Sequence, residues 1–155
     1  MSIILKYGNK FNKPVLIADI ISGAVLPLFL YTSVSKLADY EVFKNVLGAS
    51  PLLKTVAGIG AWVLPVTEIA IIVLLFIPPM RLKGLYASFI LISLFTIYLA
   101  YMIAFTSDLP CNCGGALKFL TWKQHVFFNL FFILLSLGGI FLYNRNKNRL
   151  SSPSP

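Results

Sequence analysis

Hydrophobic residues in this chain gather into four long runs, Val15 to Ser35, Thr55 to Ile77, Gly84 to Phe105 and His125 to Tyr143, separated by short polar stretches. The runs are 21, 23, 22 and 19 residues long. Each is close to the roughly 20 residues a helix needs to cross about 30 Å of hydrocarbon. None shows the strict alternation of barrel strands. An unpaired backbone N–H or C=O has no water to turn to in lipid, so runs of this kind read as helices. The expected architecture is an all-α integral membrane protein. A single four-helix transmembrane bundle occupies residues 15–143, preceded by a segment 1–14 and followed by a polar tail 144–155.

The first connection carries a pattern of its own. Leu37, Tyr40, Phe43 and Leu47 recur at helical spacing with Asp39, Glu41, Lys44 and Asn45 between them. This predicts a short amphipathic helix along the membrane surface, ending near Gly48 and Pro51, with a packed re-entrant piece as the alternative.

Composition narrows the class. Of the 155 residues 58% are apolar and 12% charged, whereas a soluble domain carries about 25% charge. That balance excludes disorder and an ordinary water-soluble core, and makes the lipid membrane the first partner. The net charge of +8 does not read as a nucleic-acid footprint, because the basic residues stand at the chain ends and between the apolar runs. Lys6, Lys10, Lys13, Arg81, Lys83, Arg145, Lys147 and Arg149 fall on one side of a four-span topology. Lys36, Lys44, Lys54, Lys118 and Lys123 fall on the other, together with Asp39, Glu41 and Asp108. The bias predicts a multi-pass protein of a bacterial-type inner membrane with both termini cytoplasmic. The third connection then faces the oxidising, extracytoplasmic side. The first run is too long for the core of a signal peptide and is kept as a span.

Ionisable residues within the spans are costly in lipid and usually face the protein interior. Asp19, Lys36, Glu68 and His125 are of this kind. Asp19, Ser22, Leu26, Phe29, Ser33 and Lys36 share one face of span one. Gly58, Ala61, Pro65, Glu68 and Ile72 share one face of span two, and His125, Asn129, Phe132, Ser136 and Gly139 one face of span four. Such stripes of small and polar residues mark helix contacts in membranes. In span three, Tyr98 and Tyr101 are left unassigned. Glu68 falls about 20 Å from the start of its span, near the midplane. Lys36 stands at the far end of span one, so a direct pair requires that span to sit deep or tilt. The alternative is a snorkelling Lys36 and a Glu68 bonded to a neighbouring helix. Asp19, near the other end, reads as an interfacial or capping acid.

Chemistry concentrates in Ser107 to Gly115, which contains Cys111 and Cys113, the chain's two cysteines. They pair with each other, pair with another protein, or stay free. A bridge between residues two apart is tight, and strained bridges are labile and oxidising. Gly114 and Gly115 give the backbone the freedom such a ring needs. Closing so short a loop adds little stability, which disfavours a structural staple. Metal binding by both thiolates with His125, and with Asp108 as a fourth ligand, is the weaker reading, since no second histidine or Cys-x-x-Cys accompanies them.

Ser33 to Lys36 with the following Leu-Ala-Asp-Tyr and Phe43, Pro65-Val-Thr-Glu68, Phe95-Thr-Ile-Tyr98 and Pro110-Cys-Asn-Cys113-Gly-Gly together resemble the membrane family that includes the methylamine-utilisation protein MauE and the DoxX-like proteins. The Cys-x-Cys ahead of the last span leans towards the MauE-like branch. The resemblance implies a four-helix, redox-associated membrane protein that supports disulfide formation or electron supply for an exported partner. On that basis Cys111 and Cys113 cycle between dithiol and disulfide, exchanging with an exported thioredoxin-like or cysteine-containing protein. His125, Lys118 or Lys123 would raise the thiolate fraction. A membrane quinone is the expected electron acceptor, with Tyr31, Phe105, Trp122 and Phe127 as candidate contacts. Membrane disulfide oxidases relay through two cysteine pairs, so a second pair here would come from a partner. A thiol-disulfide oxidoreductase, a non-catalytic assembly subunit and a metal-handling protein using Cys111, Cys113 and His125 all stay open.

Overall fold

A computed structural model describes residues 13–50, 52–105 and 122–151, the side chains at the outermost positions of these ranges excepted. Five α-helices follow one another: α1 (Lys13–Ala38), α2 (Tyr40–Ala49), α3 (Ala57–Phe76), α4 (Arg81–Phe105) and α5 (Trp122–Ser151). Single 3₁₀ turns, Lys54–Val56 and Pro78–Met80, lead into α3 and α4. No strand occurs among the described residues. The four long helices, two of them together with the 3₁₀ turn that leads in, give segments long and apolar enough to span a membrane: Val15–Ala38, Lys54–Phe76, Pro78–Phe105 and Gln124–Asn146. The protein is an all-α, multi-pass membrane protein.

The long helices form a closed ring of neighbours. α1 packs on α3 and α5, α4 packs on α3 and α5, and α1 touches α4 only slightly across the middle. Successive spans alternate in direction, which gives the bundle two distinct ends. One, the terminal end, has the start of α1, the α3–α4 turn and the close of α5. The other, the α2 end, has α2, the last turn of α4 and the first of α5.

Helices apolar on every side cannot be oriented by an apolar stripe, so packing must be decided by size and polarity. The buried positions bear this out. Ser22, Ser33, Ser88 and Ser136 are at most 2% exposed, while Ile20, Ile59, Phe76, Ile97 and Leu134 present more than half their surface outward, where lipid tails take the place of a core. A small hydroxyl lets helices approach, and all of these but Ser136, whose Oγ has no partner, return the proton to their own helix. Ser22 donates to the Ala18 carbonyl at 2.9 Å, Ser88 to Gly84 at 2.7 Å and Thr96 to Ile92 at 2.7 Å. The stripes read from the sequence for spans one and four coincide largely with the buried faces. On α3, Gly58 is exposed and Ile71 and Leu75 share the buried side with Ala61, Pro65 and Glu68.

At the terminal end, Val25, Ile71, Leu75, Leu85 and Ile140 form one apolar cluster. Two glycines set its tightness. A Cβ on Gly84 would stand 3.0 Å from the Leu75 side chain and from the Leu75 backbone nitrogen, and one on Gly139 would stand 2.9 Å from Leu85 Cδ1. The cluster is sealed by a polar clasp: Arg81 Nη1 lies 2.7 Å from Asp19 Oδ1, and the Tyr143 hydroxyl donates to the same oxygen. Asp19 sits nearly two turns into α1, so it does not cap that helix; it ties α1, α4 and α5 together.

At the other end, α2 differs from a helix floating on the membrane surface. Phe43 and Leu47 are buried against Ala57 and Ala61 of α3, with Tyr40, Leu53 and Leu64 around them. Tyr40 also packs against Trp62, ring centroids 5.3 Å apart. Leu37, expected on the same face, instead belongs to the last turn of α1 and is exposed. α2 is therefore a roof docked on α3.

Gly84→Ala is expected to destabilise the bundle by about 1–3 kcal/mol, because the backbone it meets cannot give way. Gly138→Ala, with nothing within 4 Å, should change stability by less than about 0.5 kcal/mol. Denaturation of the purified variants in micelles measures both, and equal effects would contradict the close approach.

Candidate functional site

Beneath the α2 roof the helices part. A cavity of about 390 Å³ opens between α1, α3, α4 and α5, within the size range of small-molecule sites. Its walls are mainly aliphatic and aromatic, with Phe29, Phe43, Phe95 and Phe128 among them. Six polar side chains interrupt them: Thr32, Lys36, Glu68, Tyr98, His125 and Asn129. Thr32, Lys36, Tyr98, His125 and Asn129 come from the halves of their helices that lie towards α2, and Glu68 from just past the middle of α3.

Lys36 and Glu68 form a direct buried ion pair, with Nζ donating to Oε1. Their side chains are 10% and 6% exposed. Counting rise along each helix leaves a gap between them, and side-chain direction closes it. A helical side chain leans towards the N-terminus of its own helix. α1 and α3 are antiparallel, so Lys36 leans into the bundle while Glu68 leans up to meet it. The ammonium also lies 5.6 Å from the centroid of the Phe43 ring and 5.9 Å from that of Phe95. At such distances a desolvated cation is drawn to an aromatic face.

The pair satisfies one carboxylate oxygen only. Glu68 Oε2 has no hydrogen-bond partner, and neither has Asn129 Nδ2, although both are buried. Thr32 is beside the carboxylate, but its hydroxyl donates to the Phe29 carbonyl at 3.2 Å. A buried polar atom left without a partner costs about 1–3 kcal/mol. Both atoms, an acceptor and a donor, belong to residues that line one cavity.

A family model described as methylamine utilisation protein MauE matches residues 14–142. The chain belongs to the MauE family. The matched stretch covers all four spans, the α2 roof and the segment bearing both cysteines. No curated protein and no solved structure matches this MauE-family chain, so the roles of its residues rest on their own chemistry.

Of the residues singled out from sequence, Lys36, Glu68 and His125 meet at the cavity. Cys111 and Cys113, with Asp108 and Lys118, lie outside the described residues, and so does the side chain of Trp122 that opens α5. The aromatic contacts expected for a quinone are placed differently. Tyr31 is 56%, Phe105 75% and Phe127 76% exposed on the outer surface of the bundle, and none of them lines the cavity. They stand on the helix faces opposite the polar stripes, where bulk suits contact with lipid tails. The rings that line the cavity are instead those of Phe29, Phe43, Phe95, Tyr98 and Phe128. Asn129 was legible as part of the span-four stripe, though nothing in the sequence marked its amide as unpartnered. Among the described residues no group of three His, Cys, Asp or Glu side chains is arranged to hold a metal.

Removing one partner of a buried pair leaves the other charge stranded, whereas replacing both by apolar residues removes the difficulty. Lys36→Met alone should therefore cost about 3–5 kcal/mol of stability, and Lys36→Met with Glu68→Leu much less. A double-mutant cycle in micelles measures this; additive losses would show that the two side chains are uncoupled.

Proposed function

We propose that this MauE-family protein is a thiol-disulfide redox component of an inner membrane, acting on an exported protein through Cys111 and Cys113. The observation that carries the reading is where the chain places the pair: in the segment that joins α4 to α5 at the cavity end of the bundle. Cys111 follows Phe105 by six residues and Cys113 precedes Trp122 by nine. An extended chain covers at most about 3.6 Å per residue, so Cys111 is tethered within about 22 Å of the end of α4. His125 of the cavity wall stands on the first turn of α5.

The basic residues support cytoplasmic termini and an extracytoplasmic cysteine segment. That side is oxidising and holds the exported, cysteine-containing or thioredoxin-like proteins with which a thiol pair can exchange. In the exchange, a thiolate of the exported protein attacks the Cys111–Cys113 bridge and forms a mixed disulfide. A second thiolate of that protein resolves it, leaving the exported protein oxidised and the pair as two thiols. Run backwards, the same step delivers electrons to the partner. The family is described by methylamine utilisation, and a client of the proposed exchange would belong to that process.

Cys111→Ser leaves Cys113 unable to resolve a mixed disulfide internally, and should accumulate an adduct visible as a mass shift on a non-reducing gel. A membrane-impermeant thiol reagent should label the reduced pair in intact cells. Absence of any adduct, together with unimpaired client oxidation when both cysteines are replaced, would overturn the redox reading in favour of an assembly subunit.

A further inference from the structure

Oxidation of a client dithiol loads the Cys111–Cys113 pair with two electrons, and the chain has no further cysteine to receive them. The cavity has the features of a place where they could leave. An occupant must be uncharged, because Lys36 and Glu68 already neutralise each other and a third charge would be buried without a counterion. It must be lipophilic, since it would enter from the membrane among aliphatic walls. It must offer an acceptor to Asn129 Nδ2 and a donor to Glu68 Oε2, two of the three buried side-chain atoms that lack partners among the described residues; the third, Ser136 Oγ, is on a residue outside the cavity lining. The residues that carry the first two are 9% and 4% exposed, and both line the cavity.

We propose that the cavity binds the head of a lipophilic quinone and its quinol, anchored by Asn129 and Glu68. Lys36 acts as a positioning residue that holds Oε1 and leaves Oε2 for the ligand. The identity of the ligand as an electron acceptor rests on the redox reading above; the existence of the site does not. The step balances. The S–H bonds of Cys111 and Cys113 break and an S–S bond forms, so the pair is oxidised. Two electrons and two protons pass to the quinone, whose two carbonyl oxygens become hydroxyls.

The polar atoms of the site discriminate between the two forms. A quinone has acceptors only: it satisfies Asn129 Nδ2 but sets an oxygen lone pair against Glu68 Oε2. A quinol donates to Glu68 and accepts from Asn129. The reduced form therefore binds more tightly, which makes the bound quinone the stronger oxidant, by about 30 mV for each tenfold difference in affinity. Electrons are thereby drawn from the cysteine pair to the membrane.

The test is equilibrium dialysis of the delipidated full-length protein in micelles against a ubiquinone bearing one isoprene unit and, without oxygen, against its quinol. The expected result is saturable one-to-one binding, with the quinol at least fivefold tighter. An isoprenoid alcohol lacking the ring should not displace either. Asn129→Leu should weaken both ligands at least tenfold, and Glu68→Gln should reduce the quinol preference below twofold. Gly60→Phe fills the cavity from α3, since a Cβ there meets only Leu47 Cδ2 at 3.7 Å, and should abolish saturable binding while the polar groups stay in place. Uptake by the unaltered protein that never saturates, or that the ringless alcohol matches, overturns the site whether or not any variant folds. Replacing both cysteines by serine must leave quinone binding intact. Saturable binding in a protein whose cysteines trap no client overturns the redox reading alone, and a trapped client with unsaturable quinone uptake overturns the quinone site alone.

Discussion

A lysine and a glutamate that neutralise each other inside the hydrocarbon span set the terms for the rest of this bundle. Two charges taken out of water repay their desolvation only when they meet directly and are shielded. That requirement fixes α1 against α3, the helices that bring Lys36 and Glu68 together. It also accounts for the roof. Without Phe43 and Leu47 of α2 docked on α3, the ammonium at the last turn of α1 would be drawn to the membrane surface. The aromatic rings of Phe43 and Phe95 offer it a non-aqueous surround instead. Both members of the pair line the cavity.

The opposite half shows what the same helices do without such a constraint. There the hydroxyls of Ser22 and Ser88 are returned to their own helices, Gly84 and Gly139 admit Leu75 and Leu85 at contact distance, and branched side chains fill the remaining space. Such packing resists change, because each contact has little room to relax. Close packing at one end and open volume at the other suits the proposed binding, with the spans held in register by the packed half.

Much of this was legible in the sequence. The four runs, their lengths and the small-polar stripes of spans one and four follow from the cost of polar groups in lipid, a rule strong enough to survive without tertiary knowledge. The short helix after span one was visible in the spacing of Tyr40, Phe43 and Leu47. Its docking was not, because an apolar face reads alike whether it meets lipid or protein. The depth of Glu68 was readable and its partner ambiguous, since residue counting measures the position of Cα atoms and omits the opposed lean of side chains on antiparallel helices. Aromatics were the least readable: Tyr31, Phe105 and Phe127 have the same composition signal as Phe43, Phe95 and Phe128, and only packing separates those that face lipid from those that line the cavity. The clasp of Asp19 with Arg81 and Tyr143 joins residues up to 124 apart in the chain, beyond any local pattern.

The two carboxylates of the spans show how a structural charge differs from one held ready for a ligand. Asp19 receives both Arg81 and Tyr143 on a single oxygen and keeps about a third of its side chain exposed, so its second oxygen is not sealed inside the bundle. Glu68 is buried more deeply, takes one donor, and keeps its second oxygen buried without a partner on a residue that lines the cavity. If stability alone had shaped the site, a second donor or an apolar replacement would serve better, since buried pairs of this kind are often matched or exceeded by hydrocarbon. A half-satisfied carboxylate and an unpartnered amide on residues lining one apolar cavity would gain their missing bonds from the ligand proposed above, which carries both a donor and an acceptor. The asymmetry between the two acids is therefore the strongest physical reason to place binding at the α2 end of the bundle and cohesion at the other.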